Sequence, residues 1–182
     1  MKIFLFTIVF LLISLTLSSQ TEDTNKCHNV LGLSLSTFSG YGLMYQYVFN
    51  NDYRLKFAGI YYPDPETDIK GVILNFGVEI QRTIKQLKYT RCYLTAGLNY
   101  SYMDINYSGI YYPNHLFSNM ILGGVGFGTE FTAWQHLLIN IDIGFSCHNR
   151  WEQNSDTILY SGKFYNHFEY GLGIGFGLGY IF

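Results

Sequence analysis

Phe168-Glu169-Tyr170-Gly171-Leu172-Gly173-Ile174-Gly175-Phe176-Gly177-Leu178-Gly179-Tyr180-Ile181-Phe182 ends the chain, and every second residue in it is large and apolar. Side chains at i and i+2 share one face of a β-strand, so Phe168, Tyr170, Leu172, Ile174, Phe176, Leu178, Tyr180 and Phe182 make one stripe. Between them stand Glu169 and then Gly171, Gly173, Gly175, Gly177 and Gly179. One face of this strand is bulky and greasy, the other almost bare.

The same period runs back through the chain. Leu31, Leu33 and Leu35 share a face, as do Tyr41, Leu43, Tyr45, Tyr47 and Phe49, then Tyr53, Leu55, Phe57, Gly59 and Tyr61. Val72 to Ile80, Cys92 to Tyr102, Ile121 to Phe131 and Leu137 to Cys147 repeat the pattern at every second position. With the terminal run this makes eight strands. No charged residue falls on any of the apolar faces, whereas the alternating positions carry Arg54, Lys56, Glu79, Arg91, Glu130, Asp142 and Glu169. Those positions also carry most of the glycines, among them Gly77, Gly97, Gly124, Gly126, Gly128 and Gly144. A solvated surface has no use for so many bare positions, but the crowded inside of a narrow barrel does. The apolar faces are therefore expected to meet lipid. Backbone groups in hydrocarbon need internal partners, so spanning strands must close into a ring. The expected fold is all-β, an eight-stranded antiparallel up-and-down transmembrane barrel.

Composition agrees. Of 182 residues, 48% are hydrophobic, 19% aromatic and only 13% charged, which excludes a disordered chain. Lys and Arg number 11 against 13 Asp and Glu, so no basic excess exists to neutralise a phosphate backbone and no nucleic-acid partner is expected. Met1-Lys2, the apolar run Ile3 to Leu17 and the small residues Ser18 and Ser19 have the order of a cleavable secretory signal. The run is shorter than the ~20 residues of a spanning helix. Residues 1–20 are read as the signal peptide, cleaved between Ser18 and Thr21. Residues 21–29 are read as a short periplasmic segment and 30–182 as the barrel, with no soluble domain expected beyond Phe182.

Connections on one side, Asn50 to Asp52, Arg82 to Lys88 and Ala133 to His136, are short and are placed in the periplasm with both termini. Those on the other, Thr37 to Gly40, Pro63 to Lys70, Asp104 to Leu116 and Asn149 to Lys163, are placed outside. Phe49, Tyr53, Tyr89, Trp134, Tyr180 and Phe182 gather at the first end; Tyr61, Tyr62, Tyr100, Tyr102, Phe117 and Phe164 gather at the second. Aromatic girdles at both headgroup levels are a property of membrane barrels.

With its alternation and final Phe, the segment Phe176-Gly177-Leu178-Gly179-Tyr180-Ile181-Phe182 resembles the C-terminal signal of bacterial outer-membrane barrels. The 30–182 region as a whole resembles small eight-stranded barrels of the OmpA/OmpX type. The resemblance implies the outer membrane of a Gram-negative cell, with outer-membrane lipids as surroundings. It also implies that Phe176, Leu178, Tyr180 and Phe182 are read by the barrel-assembly machinery during insertion.

Hairpin counting suggests how the interior charges pair. Tyr62 opposite Gly71 sets Arg54 across from Glu79, and a turn centred on Lys85 sets Glu79 across from Arg91. One carboxylate between two guanidinium groups would fill the lumen. Three positive and four negative interior groups favour neither sign of ion, and a ring of eight strands has room for little beyond its side chains. A diffusion porin is not expected; a narrow channel is the weaker alternative.

Ser146 and His148 share one inner face, His167 and Glu169 the next, and pairing Ser146 with Glu169 would set His148 beside His167. Serine, histidine and carboxylate are the parts of an activated nucleophile. Some outer-membrane lipid deacylases are eight-stranded and use His-x-Ser with a Glu, but here the order is Ser146-Cys147-His148, so catalysis is not expected. The four residues lack tight metal-ligand spacing, and no metal or cofactor is expected. Cys27, Cys92 and Cys147 are an odd set; Cys92 and Cys147 fall on the lipid face at opposite ends of their strands, so no disulfide is expected. Gly59-Ile60-Tyr61-Tyr62-Pro63 recurs as Gly109-Ile110-Tyr111-Tyr112-Pro113, which reads equally as chance similarity in a Tyr-rich chain or as residues 105–112 extending the barrel wall beyond the membrane. Function is left to the barrel and its outer connections: a structural or surface-interaction role, with an extracellular protein or surface ligand met by residues 104–116 and 149–163.

Overall fold

A computed structural model of the chain describes residues 29–50, 52–64, 69–108, 113–156 and 163–182. The signal segment, Cys27 and the centre of the second Gly-Ile-Tyr-Tyr-Pro copy lie outside them. The strands are β1 (Val30–Ser36), β2 (Gly40–Val48), β3 (Tyr53–Asp64), β4 (Ile69–Gln86), β5 (Thr90–Ser108), β6 (Pro113–Ala133), β7 (Leu137–Asp156) and β8 (Lys163–Ile181). Each pairs antiparallel with the next, and β1 pairs with β8 from Val30↔Ile181 to Ser36↔Gly175, closing the ring. Asn29 and Phe182 exchange backbone hydrogen bonds of 3.2 and 3.0 Å, so both ends of the described chain lie at the rim bearing the tight turns.

The strands alternate as their period requires, and the alternation is inside-out. Exposed side chains are large and apolar on every strand: Leu33, Leu43, Phe76, Leu98, Val125, Phe145 and Leu172 all face outward. Buried ones are mostly polar or charged, including Gln46, Lys56, Asn75, Glu79, Gln81, Arg91, Glu130, Asn140 and Asp142. Among the described residues, a packed apolar cluster exists only at the turn-bearing end, where Val30, Met44 and Leu138 meet Ile181. Water-facing proteins bury the opposite sets.

The outer connections are shorter than the sequence suggests, because the strands run through them. β5 continues to Ser108 and β6 starts at Pro113; β7 continues to Asp156 and β8 starts at Lys163. Of the two readings of the repeat, an extended wall is described as far as Ser108. Residues 104–116 and 149–163 are therefore largely raised wall, because paired strands give every backbone group a partner that a loop lacks.

At the opposite rim β4 reaches Gln86, and an irregularity between Thr83 and Lys85 leaves Ile84 unpaired against β5. The turn is closed by the Leu87 N–H donating to the Thr90 carbonyl at 2.7 Å, several residues beyond the expected centre at Lys85. The β6–β7 turn holds Trp134 and Gln135 at φ 48° and 67°, a left-handed conformation that side chains resist.

Candidate functional site

The interior divides at Phe38. Towards the turn-bearing rim lies a charge cluster in which Arg54, Lys56 and Arg91 face Glu79, Glu130 and Asp142. Arg54 Nη1 lies 2.5 Å from Glu130 Oε1, and Arg91 Nη2 lies 3.0 Å from Glu130 Oε2. The Gln46 amide donates to the same carboxylate at 3.2 Å. Lys56 Nζ sits 2.6 Å from Glu79 and 3.7 Å from Asp142. Gln81 joins the two groups, donating to Glu79 at 2.8 Å and accepting from Arg91. Tyr93 joins them again: its ring lies 4.2 Å from the Arg91 guanidinium and its hydroxyl donates to Asp142 at 2.6 Å.

The arrangement of one carboxylate between two guanidinium groups is present, but its centre is Glu130 and not Glu79. The expected Arg54–Glu79 and Glu79–Arg91 pairs are corrected to Arg54–Glu130, Arg91–Glu130 and Lys56–Glu79. The cause is register. Arg54 lies opposite Gln81 and Lys56 opposite Glu79, two residues from the expected hairpin, and Glu79 lies opposite Gly97 on β5.

Above the cluster the β1–β2 turn, Thr37 to Ser39, folds into the ring. It is therefore not one of the outer loops expected over Thr37 to Gly40. Phe38 is 0% exposed. Its N–H and that of Ser39 donate to the Ser36 hydroxyl at 3.0 and 3.4 Å, a serine turn. Asn75 and Asn99 exchange amide hydrogen bonds of 3.2 Å, and Asn75 also accepts from the Tyr41 N–H at 2.9 Å. The bare face of the strands makes room for this turn. A Cβ on Gly124 would strike the Phe38 ring, one on Gly173 would come within 2.8 Å of it, and one on Gly97 within 2.7 Å of the Phe38 carbonyl. Gly40, at φ +79°, has both the conformation and the closeness to Asn75 and Asn99 that only glycine accepts. The signal for this insertion was the gathering of inner glycines on β4, β5, β6 and β8 opposite an unusually short β1–β2 connection.

Beyond Phe38 the inner faces of β7 and β8 carry Ser146, His148, His167 and Glu169. The expected Ser146–Glu169 alignment is corrected by two residues: Ser146 lies opposite Gly171, His148 opposite Glu169 and His167 opposite Arg150. His148 therefore meets a carboxylate, with Nε2 3.3 Å from Glu169 Oε2, rather than a second imidazole. Arg150 and Glu152 pair at 3.2 Å nearby. A carboxylate holding an imidazole can fix its orientation, and Ser146 stands two residues along the same face.

Outside, Cys92 and Cys147 carry free thiols, Cys147 exposed and Cys92 half-buried. Trp134, Tyr89, Phe49, Tyr53 and Tyr180 ring the turn-bearing rim, and Trp134 is 85% exposed. Tyr62 leaves the expected outer girdle, since it lies opposite Ile73 on the inner side. The stripe Phe176, Leu178 and Tyr180 faces outward next to the seam that closes the ring.

No described protein family and no curated protein matches the chain. Among solved structures, it is similar to a major outer membrane protein from Thermus thermophilus, at 15% identity and a TM-score of 0.47, over 86% of this chain and 100% of that one. It is also similar to the N-terminal β-barrel domain of Pseudomonas aeruginosa OprF, at 15% identity and a TM-score of 0.45, over 85% and 96%. Ail, the attachment invasion locus protein of Yersinia pestis, matches at 16% identity with a TM-score of 0.39, over 85% and 94%. The pairing register described above establishes the eight-stranded ring independently of these likenesses.

Proposed function

We propose that the protein is an integral outer-membrane barrel whose lumen is closed, and that it acts through its raised outer rim in a structural or surface-interaction role. The observation that carries this reading is the vertical division of the ring. The outward apolar side chains run around all eight strands, as contact with lipid requires. Phe38 and the charge cluster fill the lumen at that height, while β5 to β8 rise far past it. A wall built so far above its own closed middle serves contact better than passage. Both termini and the tight turns then lie in the periplasm. Outer-membrane lipids surround the belt, the barrel-assembly machinery reads the terminal strand, and an extracellular protein or surface ligand meets the rim.

Replacing residues 105–116 and 150–163 by short turns tests the role. Surface binding by cells should be lost while heat-modifiable gel migration, the mark of a closed barrel, is kept. Retained binding after that replacement would refute it. In planar bilayers the intact protein should give no resolvable single-channel current.

The His148–Glu169 contact favours one second reading, a lipid-modifying enzyme with Ser146 as nucleophile. Under our proposal, cells carrying Ser146→Ala with His148→Ala keep an unchanged lipid profile. Loss of a lipid species in that variant would make the protein an enzyme.

A further inference from the structure

β1 and β2 are short, and among the described residues this leaves the upper wall incomplete. Pairing between β1 and β8 stops at Ser36↔Gly175. Just beyond, Thr37 exchanges hydrogen bonds with Ile174: its N–H donates to the Ile174 carbonyl at 2.9 Å, and its hydroxyl accepts from the Ile174 N–H at 2.9 Å. From Lys163 to Gly173, β8 pairs with β7 alone, and from Ile60 to Asp64, β3 pairs with β4 alone. A seam therefore opens between β3 and β8 above the β1–β2 turn. Inner-face residues on the two flanking strands are correspondingly uncovered: Ile60 is 40% exposed, Tyr62 52% and Glu169 66%. A Cβ built on Gly171 would meet nothing within 4 Å.

The seam lies beside lipid. A hydrocarbon band about 25 Å tall, crossed by strands rising about 3.3 Å per residue at a tilt near 40°, takes about ten residues. Counted up from Tyr180, that reaches Tyr170, and Leu172, Tyr170 and Phe168 are all strongly exposed on the outer side of β8. The β1-facing backbone groups of β8 near Leu172 thus stand in or at the edge of the outer leaflet without a neighbouring strand. Such groups are strongly disfavoured in hydrocarbon unless something polar reaches them.

The chamber behind the seam is two-sided. Below Phe38 the inner face is filled by the charge cluster and, nearest the turn-bearing rim, by the packed Val30, Met44 and Leu138. Above it, Ile73, Met103, Met120 and Leu122 on β4, β5 and β6 turn inward and stay only half-buried, with Ser101 and Ser118 set between them. On β7 and β8 stand Ser146, His148, Arg150, Glu152 and Glu169, with His148 opposite Leu122 and Arg150 opposite Met120 on β6. Apolar side chains left uncovered on an inner face are unfavourable in proportion to their exposed area. An occupant with one hydrocarbon chain and one hydrogen-bonding headgroup would cover the first wall and satisfy the second, and its polar part would reach the open edge of β8.

We infer that this chamber binds a single-chain amphiphile drawn from the outer leaflet through the β3–β8 seam. The chain lies along Ile73, Met103, Met120 and Leu122, and the headgroup lies at Ser146, His148 and Glu169. The inference rests on the membrane reading of the outward face.

The test is photolabelling of the folded protein in phosphatidylcholine vesicles with a lysophosphatidylcholine bearing a diazirine on its chain, with adducts mapped by mass spectrometry. Adducts are expected on Met103, Met120 and Leu122 as well as on outward Phe168 and Leu172. Excess unlabelled lysolipid should suppress the inner adducts several-fold and leave the outer ones. Leu122→Trp, which fills the chamber, should remove the inner adducts alone; should that variant fail to show heat-modifiable migration, Met103→Gln is read in the same way. Adducts confined to Phe168 and Leu172 overturn the inference and leave the membrane reading standing. Absence of adducts from Phe168 and Leu172 as well overturns both.

Discussion

At the level of single residues, Phe38 and Glu130 hold the interior for different reasons. Phe38 fills a space that Gly97, Gly124 and Gly173 leave open, so its ring cannot be replaced by movement of the surrounding strands. Phe38→Ala is expected to cost about 3–5 kcal/mol, the usual range for deleting a buried aromatic ring. Denaturant unfolding in detergent measures this. Glu130 compensates two guanidinium groups, and Glu130→Gln leaves Arg54 and Arg91 facing each other with a neutral amide. Removing one partner of a buried pair costs about 3–5 kcal/mol. Glu169→Gln, at the open rim, should cost less than about 1 kcal/mol, since exposed pairs are solvated and screened. Equal effects of Glu130→Gln and Glu169→Gln in the same titration would contradict the buried network.

Among the strands and turns, the shortness of the first hairpin decides the most. Seven residues in β1 and nine in β2, against 18 to 21 in β4 through β8, bring the turn to mid-height and let it fold inward. The β6–β7 turn shows the opposite compromise. Trp134 and Gln135 keep a left-handed backbone although glycine would adopt it freely, and the exposed Trp134 ring belongs to the girdle at that rim. Relieving one such position is worth about 1 kcal/mol. Gln135→Gly should therefore stabilise the barrel by that order, seen as a raised midpoint in a urea titration, whereas Trp134→Gly should lose membrane anchoring as it gains backbone freedom. Just past β8, Phe182→Ser should lower the yield of heat-modifiable protein in cells while leaving refolding into detergent intact, if the terminal stripe acts during assembly.

Taken as one body, the barrel is an inside-out protein whose charge cluster balances three cations with three carboxylates. Lys56 bridges Glu79 and Asp142 while Glu130 bridges Arg54 and Arg91, and Gln81 and Tyr93 tie the two groups into one network across β3 to β7. Such a network links five strands at one level. Heat-modifiable migration should accordingly persist after the outer wall is trimmed, because the closing contacts lie below Phe38. Loss of that migration on trimming residues 105–116 would show that the raised wall holds the barrel together.

Which side of each strand faces out is written in the alternation alone. Period two survives in Phe168 to Phe182 as in Leu137 to Cys147, and the outward residues are the apolar ones on all eight strands. The same period identifies the inner residues correctly: Arg54, Glu79, Arg91, Ser146, His148 and Glu169 all turn inward. It leaves open who meets whom. A strand slid by two keeps every side chain on the same face, so alternation is blind to that slide. The β3–β4 and β7–β8 hairpins each settle two residues from the simplest count, and this moves Glu79 to Lys56 and His148 to Glu169. Only the closed ring could choose, because Glu130 on β6 reaches Arg54 on β3 across the lumen, and Phe38 finds its glycines on strands distant in the chain. Faces are local, set by the pleat of each strand; partners across a barrel are a property of its closure.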